Sequence, residues 1–513
     1  MNIKIFSRQV FLFLVLMILF GIISVLNGQD VSFDLRNYHW YNAYAFLNDR
    51  MNFDIAPAGL QTYLNPLVDV FNYCVVKLVG NPKYVAFILG ALGGVAVFIL
   101  FKIVEMIFAE ENKFKWAAIW FALLIGVSGA AGRSQLGTTM NEYVIAIFVL
   151  LGIYGILRAM NVLGNVKSYY YILFGGLFLG MAVGLKLTAA TFALGASLSL
   201  ILVLNRTLLI NFKLPLFLSL GLIIGFMSVD GFWLYKIYHY FKNPFFPFYN
   251  NIFQSPDAIF ALYADKRFVP QNYIQYLFYP FFWLRANTLV NEVMARDARF
   301  ALVLLCLLYL GLKFSVFRNA KRPSSAIVFL LLFWFFSYVI WLIKFSIYRY
   351  VIPIELLSGV VIIYTCLHLI SHVVGRYIVT AGMTLLLMFT TIYPEWGHMP
   401  FSQQFIVSNT PVIPENSLVI FIGEDQAFSY LADSFPTSTH FIRLSHLKIL
   451  ESKAIAMIQN FKGPIFLLQK PGAQNHVDEW LSRLKLSLVS AHCRTNITSN
   501  LEAVPASLCP LER

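Results

Sequence analysis

Residues 30–69 read DVSFDLRNYHWYNAYAFLNDRMNFDIAPAGLQTYLNPLVD and follow closely on the first hydrophobic stretch of the chain. This segment combines five acids with two arginines, one histidine and many aromatic residues, whereas the sequence on both sides is strongly apolar. The acids are Asp30, Asp34, Asp49, Asp54 and Asp69. Ionisable groups beside lipid are costly and mark functional positions, so this loop favours an enzyme over a channel or a scaffold.

The composition is that of a protein with many membrane spans. Of 513 residues, 59% are hydrophobic and 12% are charged, and the mean hydropathy is +0.70. A soluble domain is about 25% charged. Most of the chain is therefore expected to lie in lipid.

The net charge of +13 is unevenly distributed. Residues 1–394 hold 29 Lys and Arg against 15 acids, whereas the tail from Glu395 holds 9 against 10. The basic residues belong to the membrane part, where anionic lipid headgroups and lipid phosphates are the expected partners. A nucleic acid is not expected as a partner, because no soluble domain is basic.

A window of about 20 residues predicts eleven transmembrane helices. With the N-terminus inside, the inner turns are basic and hold only Glu105, Glu110 and Glu111 as acids, while the other twelve acids of the membrane part lie outside. This follows the positive-inside rule and predicts an external tail. The first span is interpreted as an uncleaved signal anchor. The spans are 9–27, 83–104, 115–132, 140–158, 169–185, 188–205, 214–235, 299–316, 325–343, 347–370 and 376–393.

The same orientation places every unusual polar segment on the outer face. Two long outer loops are predicted at 28–82 and 237–298, and the inner turns are short. The active face, if there is one, is therefore external. The unusual segments are the Asp34 loop, GRSQLGTTMNE (132–142), GLKLT (184–188), KNPFFPFYNN (242–251) and KFSIYRYVIPIE (344–355).

Residues 1–394 thus form a transmembrane domain, and residues 395–513 form a soluble one. In the tail, apolar runs alternate with helical patterns, which indicates a small α/β domain. Strands are predicted at 418–423, 441–444, 464–469 and 486–491, with helices at DQAFSYLA (425–432), KAIAMIQNF (453–461) and HVDEWLSRL (476–484).

Two of the five cysteines lie in the tail. Cys493 and Cys509 are sixteen residues apart, and a disulfide between them is compatible with an external tail. Cys74, Cys306 and Cys366 have apolar neighbours and are interpreted as small core residues.

Two loop acids are candidates for chemistry. Asp34, seven residues after the first span, can serve as a general base toward an acceptor hydroxyl or bind a divalent cation. Asp54 is a second candidate, as a metal ligand or an acceptor contact. The alternative interpretation of both is a solvated loop acid, but five acids in one short loop favour function.

Three basic residues at outer helix ends are candidates for binding a lipid-linked phosphate. Arg349, between two tyrosines, can grip a phosphate with its guanidinium fork; otherwise it is an interfacial anchor. Lys186 either binds phosphate or extends toward water. Arg133 either contacts phosphate or sugar, or pairs with Glu142 to join two helices.

Three further residues are candidates for sugar or acceptor binding. His39 is a potential ligand or proton shuttle, or else a plain interfacial residue on an amphipathic helix at 39–47. Asn243 and Asn250 can hydrogen-bond hydroxyl groups from a proline-rich loop. The alternative for that loop is a rigid, ring-packed segment without a ligand.

The stretch FDLRNYHWYNAYAFLNDRMNFDIAPAGLQTYLNPL, followed by GRSQLGTTMNE, GLKLT, NPFFPFYNN and YRYVIPIE, resembles the GT-C superfamily of integral-membrane glycosyltransferases. It also resembles a group of uncharacterised bacterial multispan membrane proteins. The resemblance covers residues 1–394 and implies an α-helical polytopic fold. The tail is similar only as an appended external domain.

This resemblance implies an inverting transfer of a sugar from a polyprenyl-phosphate-linked donor to a glycan, lipid or protein acceptor. It places the protein in the bacterial cytoplasmic membrane, active on the periplasmic face. By position, Asp34 would be the aspartate that family enzymes often use in the first loop. Some members need a divalent metal, but many show two adjacent acids there, whereas Asp34 is followed by Leu35 and Arg36. This weakens the implied metal site, at Asp34 and Asp54, more than the fold.

Other functions stay open. A carrier or flippase for lipid-linked sugars would bind the same headgroup, but the spans hold almost no mid-membrane charge, since Asp230 lies near a helix end. A non-catalytic envelope assembly protein would use the tail to recruit a partner. A polymerase or ligase of surface polysaccharide is a close neighbour of the transferase.

Overall fold

The computed structural model describes residues 3–111, 113–206, 212–260, 263, 265–316, 322–423, 427–470 and 474–513. The helices are α1 (Ile3–Asn27), α2 (Trp40–Leu47), α3 (Leu67–Val79), α4 (Pro82–Ile107), α5 (Lys115–Val127), α6 (Ala130–Ser134), α7 (Glu142–Met160), α8 (Lys167–Leu185), α9 (Ala190–Arg206), α10 (Lys213–Phe241), α11 (Asn250–Phe253), α12 (Tyr273–Phe282), α13 (Arg299–Val316), α14 (Ser325–Lys344), α15 (Ile352–Leu369), α16 (Val373–Thr390), α17 (Glu451–Asn460) and α18 (Gln474–Leu484). The strands are β1 (Gln29–Asp30), β2 (His398–Met399), β3 (Leu418–Ile422), β4 (His440–Leu444), β5 (Ile465–Gln469), β6 (Ser487–Leu488), β7 (Arg494–Ser499) and β8 (Glu502–Glu512).

Several short helices of other types join these elements. A π-helix spans Leu35–His39. The 3-10 helices are Arg50–Asn52, Gly59–Tyr63, Leu187–Ala189, Tyr348–Val351, Ser429–Ser434 and Ser490–His492. Both long loops and the sheet of the tail lie at the same end of the helix bundle, which is called the tail-bearing end below.

All eleven predicted spans fold as helices, so the expected fold class is confirmed. Among the described residues, nine helices are long and apolar enough to cross a membrane. The other two predicted spans correspond to α5, a shorter apolar helix of 13 residues, and to α13, which begins at the buried Arg299. The most deeply buried span is α15, which forms the centre of the bundle.

Glycines let α8 and α10 pack backbone against backbone. A Cβ atom on Gly180 would lie 2.1 Å from the carbonyl oxygen of Leu222, and one on Gly176 would lie 2.3 Å from that of Leu218. Small residues at such contacts are the usual means by which helices associate in lipid, where the hydrophobic effect does not drive helices together. Gly176 and Gly180 therefore serve helix packing.

The first loop folds against the tail. Residues 39–47 were predicted to form an amphipathic helix at the lipid interface, and most of this segment is α2. The aromatic face of α2 is covered by protein, because Trp40, Tyr41 and Tyr44 are buried in one cluster with tail residues such as Phe405 and Tyr430. The interfacial placement was therefore wrong, since packing against the tail supplies the apolar cover that lipid was expected to provide.

The tail is an α/β sheet domain with strand order β4-β3-β5-β8-β6, and β7 pairs with β8. The neighbours β4, β3 and β5 are parallel, and α17 lies between β4 and β5 in sequence. The predicted strands at 418–423, 441–444 and 464–469 correspond to β3, β4 and β5, and the last two predicted helices correspond to α17 and α18.

Two details of the tail differ from the prediction. The strand expected at 486–491 is only β6, followed by a 3-10 turn, and the hairpin of β7 and β8 was missed. Strand β8 contains Pro505 and Pro510, and its pairing with β5 runs from Ser507 to Leu511. Of the helix predicted at 425–432, residues 425 and 426 lie outside the described residues, and the rest is largely 3-10 helix.

Asp54 joins the first loop to the tail sheet. Its Oδ1 accepts a hydrogen bond from the Phe441 amide at 2.8 Å, and both oxygens accept from Arg50, at 2.6 and 2.9 Å. Arg50 in turn donates to the carbonyl of Thr437 at 2.8 Å. Ile55 continues the sheet beside β4 by a parallel bridge to Ile442. The first loop thus acts as an additional edge of the tail sheet.

Further contacts fix the start of the loop. The π-helix residues Arg36 and Asn37 contact Glu502 and Arg443 of the tail, the second pair at 3.0 Å. A disulfide joins Cys493 and Cys509, whose Cα atoms are 4.1 Å apart, and so ties β8, the strand that carries Glu502, to the start of β7.

The glycine contact gives a stability prediction. Gly180→Ala should lower the free energy of unfolding by about 1–3 kcal/mol, because the added methyl group forces a backbone shift in a packed interface. Gly382→Ala in α16 is the matched control, since a Cβ there meets no atom within 4 Å. The melting temperatures of the two purified variants are measured by heating, with the folded fraction at each temperature read by gel filtration. An equal melting temperature for the two variants would contradict the close contact.

Candidate functional site

The site is built around Asp34, at the start of the π-helix Leu35–His39. Asp34 Oδ2 accepts a hydrogen bond from the hydroxyl of Tyr38, four residues further along the chain, at 3.1 Å. The same oxygen forms an ion pair with Arg349 Nη1 at 2.7 Å. The side chain of Asp34 is only 13% exposed. π-helical turns are rare and frequent at functional sites, and here the turn faces Asp34 and Tyr38 toward the bundle while Arg36 contacts the tail.

Arg349 is held from behind by a buried polar network. It lies in the 3-10 turn Tyr348–Val351, and the Tyr348 hydroxyl lies within hydrogen-bond distance of both Asp297 and Glu355. Glu355 also accepts from the amides of Ala131 and Gly132 in α6, at 3.0 and 2.7 Å. These contacts fix the turn, so that Arg349 points into the site.

A second ion pair lies beside the first. Lys186 Nζ is 2.5 Å from Glu142 Oε1, and the same oxygen is 3.9 Å from Arg349 Nε. Lys186 has extended backbone (φ −152°, ψ 110°) where α8 ends, which turns its side chain toward the start of α7. Asp34, Arg349, Glu142 and Lys186 are called the charge cluster below.

Aromatic rings enclose the guanidinium of Arg349. Its Cζ lies 5.6 Å from the ring centroids of both Tyr350 and Trp396, and Trp396 is fixed by a 3.1 Å hydrogen bond to Ser134. Lys186 Nζ lies 4.8 Å from the Tyr350 ring. Cations over aromatic faces at these distances are attracted by the ring quadrupole.

Burial and charge act in opposite directions on Asp34. Burial alone would raise the pKa of its carboxyl group, but Arg349, with smaller effects from His39 and Lys186, outweighs the burial and holds the pKa below its ordinary value. Asp34 is therefore a carboxylate at neutral pH, and its basicity is suppressed for as long as Arg349 is paired with it.

A small, partly open cleft lies beside the charge cluster, between its polar groups and apolar side chains of the bundle. Glu142, Lys186 and Arg349 line its polar part. The remaining lining is mostly apolar and comes from α7, α9, α15 and the turns before them: Ile145, Thr188, Ala189, Phe192, Tyr350 and Pro353. The cleft therefore has the character of a site for a molecule with a charged head and an apolar chain.

His39 is buried beside the charge cluster and paired with a different acid. Its Nδ1 is 2.6 Å from Asp69 Oδ1, which also accepts from Asn141 at 3.2 Å. Burial lowers the pKa of His39, but Asp69 outweighs it and raises the pKa above the ordinary value. The negative charge of Asp34 also raises the pKa of His39, but to a smaller extent than Asp69 does.

The five acids of the first loop have separate environments. Asp30 accepts hydrogen bonds from the amide and hydroxyl of Thr139, at 2.8 and 2.7 Å, Asp54 joins the tail, and Asp69 holds His39. The side chain of Asp49 is 81% exposed. Asp49 pairs with Lys236 of α10 at the surface, and of the five acids only Asp34 meets the cations of the charge cluster.

The structure does not bring Asp54 into the charge cluster. Arg50, the Tyr41 hydroxyl at 2.7 Å and the Phe441 amide occupy both of its oxygens. Arg133 does not pair with Glu142, because Lys186 takes that acid; Arg133 contacts Asn27 instead.

The two loop amides are directed inward. Asn243 and Asn250 are both fully buried, and Asn243 Nδ2 donates to the Phe248 carbonyl at 2.9 Å. Asn250 Nδ2 donates to three carbonyls of its own loop, of Ser255, Ala258 and Ile259. These contacts agree with the alternative of a rigid loop, and a sugar could reach either amide only after the loop opened.

The residues of the site do not fit a divalent cation well. Among the described residues, no three His, Cys, Asp or Glu side chains converge as metal ligands. The acids Asp34 and Glu142 already face Arg349 and Lys186, and Asp34 and Asp54 belong to different clusters. No step below uses a metal.

Sequence reasoning missed several contributors. Glu142 was considered only as a partner of Arg133, Tyr348 only as a neighbour of Arg349, and Trp396 and Asp297 were not considered. Glu142 lies in the first turn of the predicted span 140–158 and gives a signal, because a charge there needs a partner. Trp396 lies beyond the last span, and only the folded chain returns it to Arg349.

Comparison with solved structures identifies the fold. ArnT from Cupriavidus metallidurans in the apo state superposes with a TM-score of 0.54 at 13% identity, covering 98% of each chain. The same protein bound to undecaprenyl phosphate gives 0.53 at 12% identity, covering 99% of this chain and 98% of that one. The chain has a GT-C-like fold. The superposition on ArnT also includes the tail, which the sequence resemblance had covered only as an appended external domain.

A looser likeness extends to the oligosaccharyltransferase AglB from Archaeoglobus fulgidus, with a TM-score of 0.45 at 14% identity over 89% of this chain and 69% of that one. No protein-family model and no curated protein sequence matches the chain.

The His39–Asp69 pair predicts a pH dependence of stability. Because the folded pKa of His39 is raised, its stabilising effect is fully present below the unfolded pKa of about 6.5 and is lost as the pH rises through the folded value. The stability of the wild type relative to His39→Gln should therefore fall as the pH rises from about 6.5 through the folded pKa of His39. Thermal melts of both proteins across the window measure it. A difference independent of pH would contradict a charged His39.

Proposed function

We propose that this protein is a glycosyltransferase of the bacterial cytoplasmic membrane, which transfers a sugar from a polyprenyl-phosphate-linked donor to an acceptor hydroxyl at the periplasmic face. The single observation that carries the proposal is the buried ion pair of Asp34 with Arg349, beside the cleft. The GT-C-like fold supports it, because the ArnT structure with the same overall fold binds undecaprenyl phosphate.

The donor lies with its phosphate at the charge cluster and its polyprenyl chain along the apolar side of the cleft. Arg349 and Lys186 hold the phosphate, and their positive charge stabilises the negative charge that develops on the leaving group. Ile145 and Phe192 contact the chain where it enters from the bilayer. A free sugar nucleotide would leave this apolar lining without a partner.

The acceptor hydroxyl attacks the anomeric carbon in one step. A bond forms between the acceptor oxygen and that carbon while the bond from the carbon to the phosphate oxygen breaks, and the hydroxyl proton passes to Asp34. The configuration inverts, because attack and departure are on opposite faces. The products are the glycosylated acceptor and the lipid phosphate.

Donor binding also prepares Asp34 for this step. In the free protein Arg349 lowers the pKa of Asp34 and makes it a weak base. When the donor phosphate shares Arg349, the carboxylate loses part of that attraction and its pKa rises. The base is thus strongest when a donor is present.

The tail has a positioning role in this proposal. It holds the π-helix through Glu502 and Arg443 on the side opposite to Arg349, so it sets the place of Asp34 relative to the donor. The acceptor, a glycan, lipid or protein, approaches between the tail and the membrane.

Replacement of Asp34 tests the base. Asp34→Asn should lower the transfer rate about 10²–10⁴-fold, the usual contribution of a general base. Mass spectrometry of lipid-linked sugars and surface glycans in a deletion strain measures it after complementation. Wild type should restore the missing sugar residue, whereas Asp34→Asn should leave the lipid-linked sugar to accumulate.

Asp49→Asn is the matched control, because Asp49 lies in the same loop but is exposed and makes a surface ion pair of little energetic weight. It should complement like the wild type. Full complementation by Asp34→Asn would remove Asp34 as the base and favour a carrier or an assembly protein.

Replacement of Lys186 tests the donor site separately. Undecaprenyl phosphate should raise the melting temperature of the wild type, because ligands that bind only the folded state stabilise it. Lys186→Gln should weaken that binding about 10–100-fold, the equivalent of one charge-assisted hydrogen bond. Lys236→Gln, a cation paired with Asp49 outside the cleft, should bind like the wild type. Equal stabilisation of all three proteins would contradict a phosphate site at Lys186.

A further inference from the structure

The second long loop contains a helix that returns to the membrane part. After α10 ends at Phe241, the loop reaches the tail, where the Leu450 amide donates to the Asp257 carbonyl at 2.7 Å and the Tyr263 hydroxyl donates to the Leu447 carbonyl at 2.9 Å. The chain then turns back as α12 before α13 begins.

One face of α12 packs on the tail-bearing end of the bundle. Tyr279 is fully buried and Trp283, directly after the helix, is 2% exposed. The Trp283 ring lies 5.1–5.7 Å from the rings of Phe300, Trp341 and Tyr348. These three residues stand at the first turn of α13, the last turn of α14 and the 3-10 turn before α15. The helix therefore lies at the level where the spans end.

The opposite face of α12 is apolar and uncovered. Tyr273 is 93% exposed, Ile274 and Leu277 are 68%, Phe278 is 47% and Phe282 is 42%. The spacing of four residues, from 273 to 277 and from 274 to 278, places these side chains in two adjacent rows of the helix. The helix kinks at Phe278 (φ −108°, ψ 15°), and Phe282 is exposed beyond the kink. A contiguous apolar surface of this kind marks an interaction site.

The charges around this face match a lipid surface. No acid occurs between Phe268 and Asn291. Basic residues flank the helix: Lys266 and Arg267 precede it and Arg285 follows it, all exposed, and Arg267 pairs with the two bordering acids, Asp265 at 2.7 Å and Glu292 at 3.3 Å. Tyr, Trp and Phe beside basic groups are the usual composition at headgroup depth.

We propose that α12 lies in the interface of the leaflet at the tail-bearing end, with its exposed face inserted at the boundary of headgroups and acyl chains. The occupant of the face is the lipid of the membrane that the chain itself spans. The spans fix where that surface is, and the contacts of Trp283 place α12 beside it. A soluble protein partner would have to compete with lipid for a helix at this level.

This docking surface has a consequence for the charge cluster. Trp283 contacts Tyr348, and Tyr348 precedes Arg349 in the same 3-10 turn. Insertion of α12 therefore sets the depth of Arg349 relative to the lipid headgroups. The inference concerns membrane contact alone and stands or falls independently of the proposed reaction.

Chemical labelling of single cysteines tests the docking surface in the full chain. Leu277→Cys and Ile274→Cys are compared with Val412→Cys, an apolar tail position that is 90% exposed. Each protein is placed in nanodiscs of phosphatidylcholine and phosphatidylglycerol and treated with a charged maleimide. The modified peptides are quantified by mass spectrometry, so that Cys74, Cys306 and Cys366 do not interfere.

The two α12 cysteines should react several-fold more slowly than Val412→Cys, because lipid covers them. Equal rates in nanodiscs would overturn the proposal. Rapid labelling in nanodiscs but protection in intact cells would also overturn it, since a protein would then be the occupant. A fluorophore attached at Leu277→Cys gives an independent reading, because lipids brominated along the acyl chain should quench it, whereas one at Val412→Cys should stay bright.

Discussion

The arrangement depends on one buried ion pair, between Asp34 of the first loop and Arg349 at the start of the last but one span. A guanidinium at this depth is unfavourable without an anion, and a carboxylate is equally unfavourable without a cation. Each group therefore requires the other, although 315 residues separate them. The short 3-10 turn of Arg349 and the π-helix of Asp34 are the local distortions that let the two side chains meet.

Two supports hold this pair from opposite sides. On the bundle side, Tyr348 is fixed between Asp297 and Glu355, so the turn cannot rotate Arg349 away. On the other side, the tail sheet grips the loop through Arg50 and Asp54. Rigid groups around a reactive centre lower the cost of reorganisation during a reaction. Of the five acids of the first loop, Asp34 alone meets the cations of the charge cluster, whereas Asp30, Asp54 and Asp69 hold the loop in place.

The charge balance of the cluster is also informative. Two acids and two bases face one another, so a bound phosphate has to compete with carboxylates for Arg349 and Lys186. The cluster is electrically neutral by itself, and in the proposed reaction this competition would couple donor binding to the basicity of Asp34. A site with uncompensated cations would bind phosphate more tightly, but it would be costly to bury and would retain the product.

The sequence by itself determined the eleven helices and three strands of the tail sheet, and it predicted site roles for Asp34, Arg349 and Lys186. Hydropathy, strand patterns and the cost of charge near lipid are local or compositional properties, and they can be read along the chain. Only the tertiary structure decided which acid meets which base. Glu142 rather than an adjacent loop acid joins Asp34, Asp54 goes to the tail, and Asn250 turns into its own loop. These choices depend on contacts between segments far apart in sequence, and the same residue types would satisfy several pairings equally well until packing selects one.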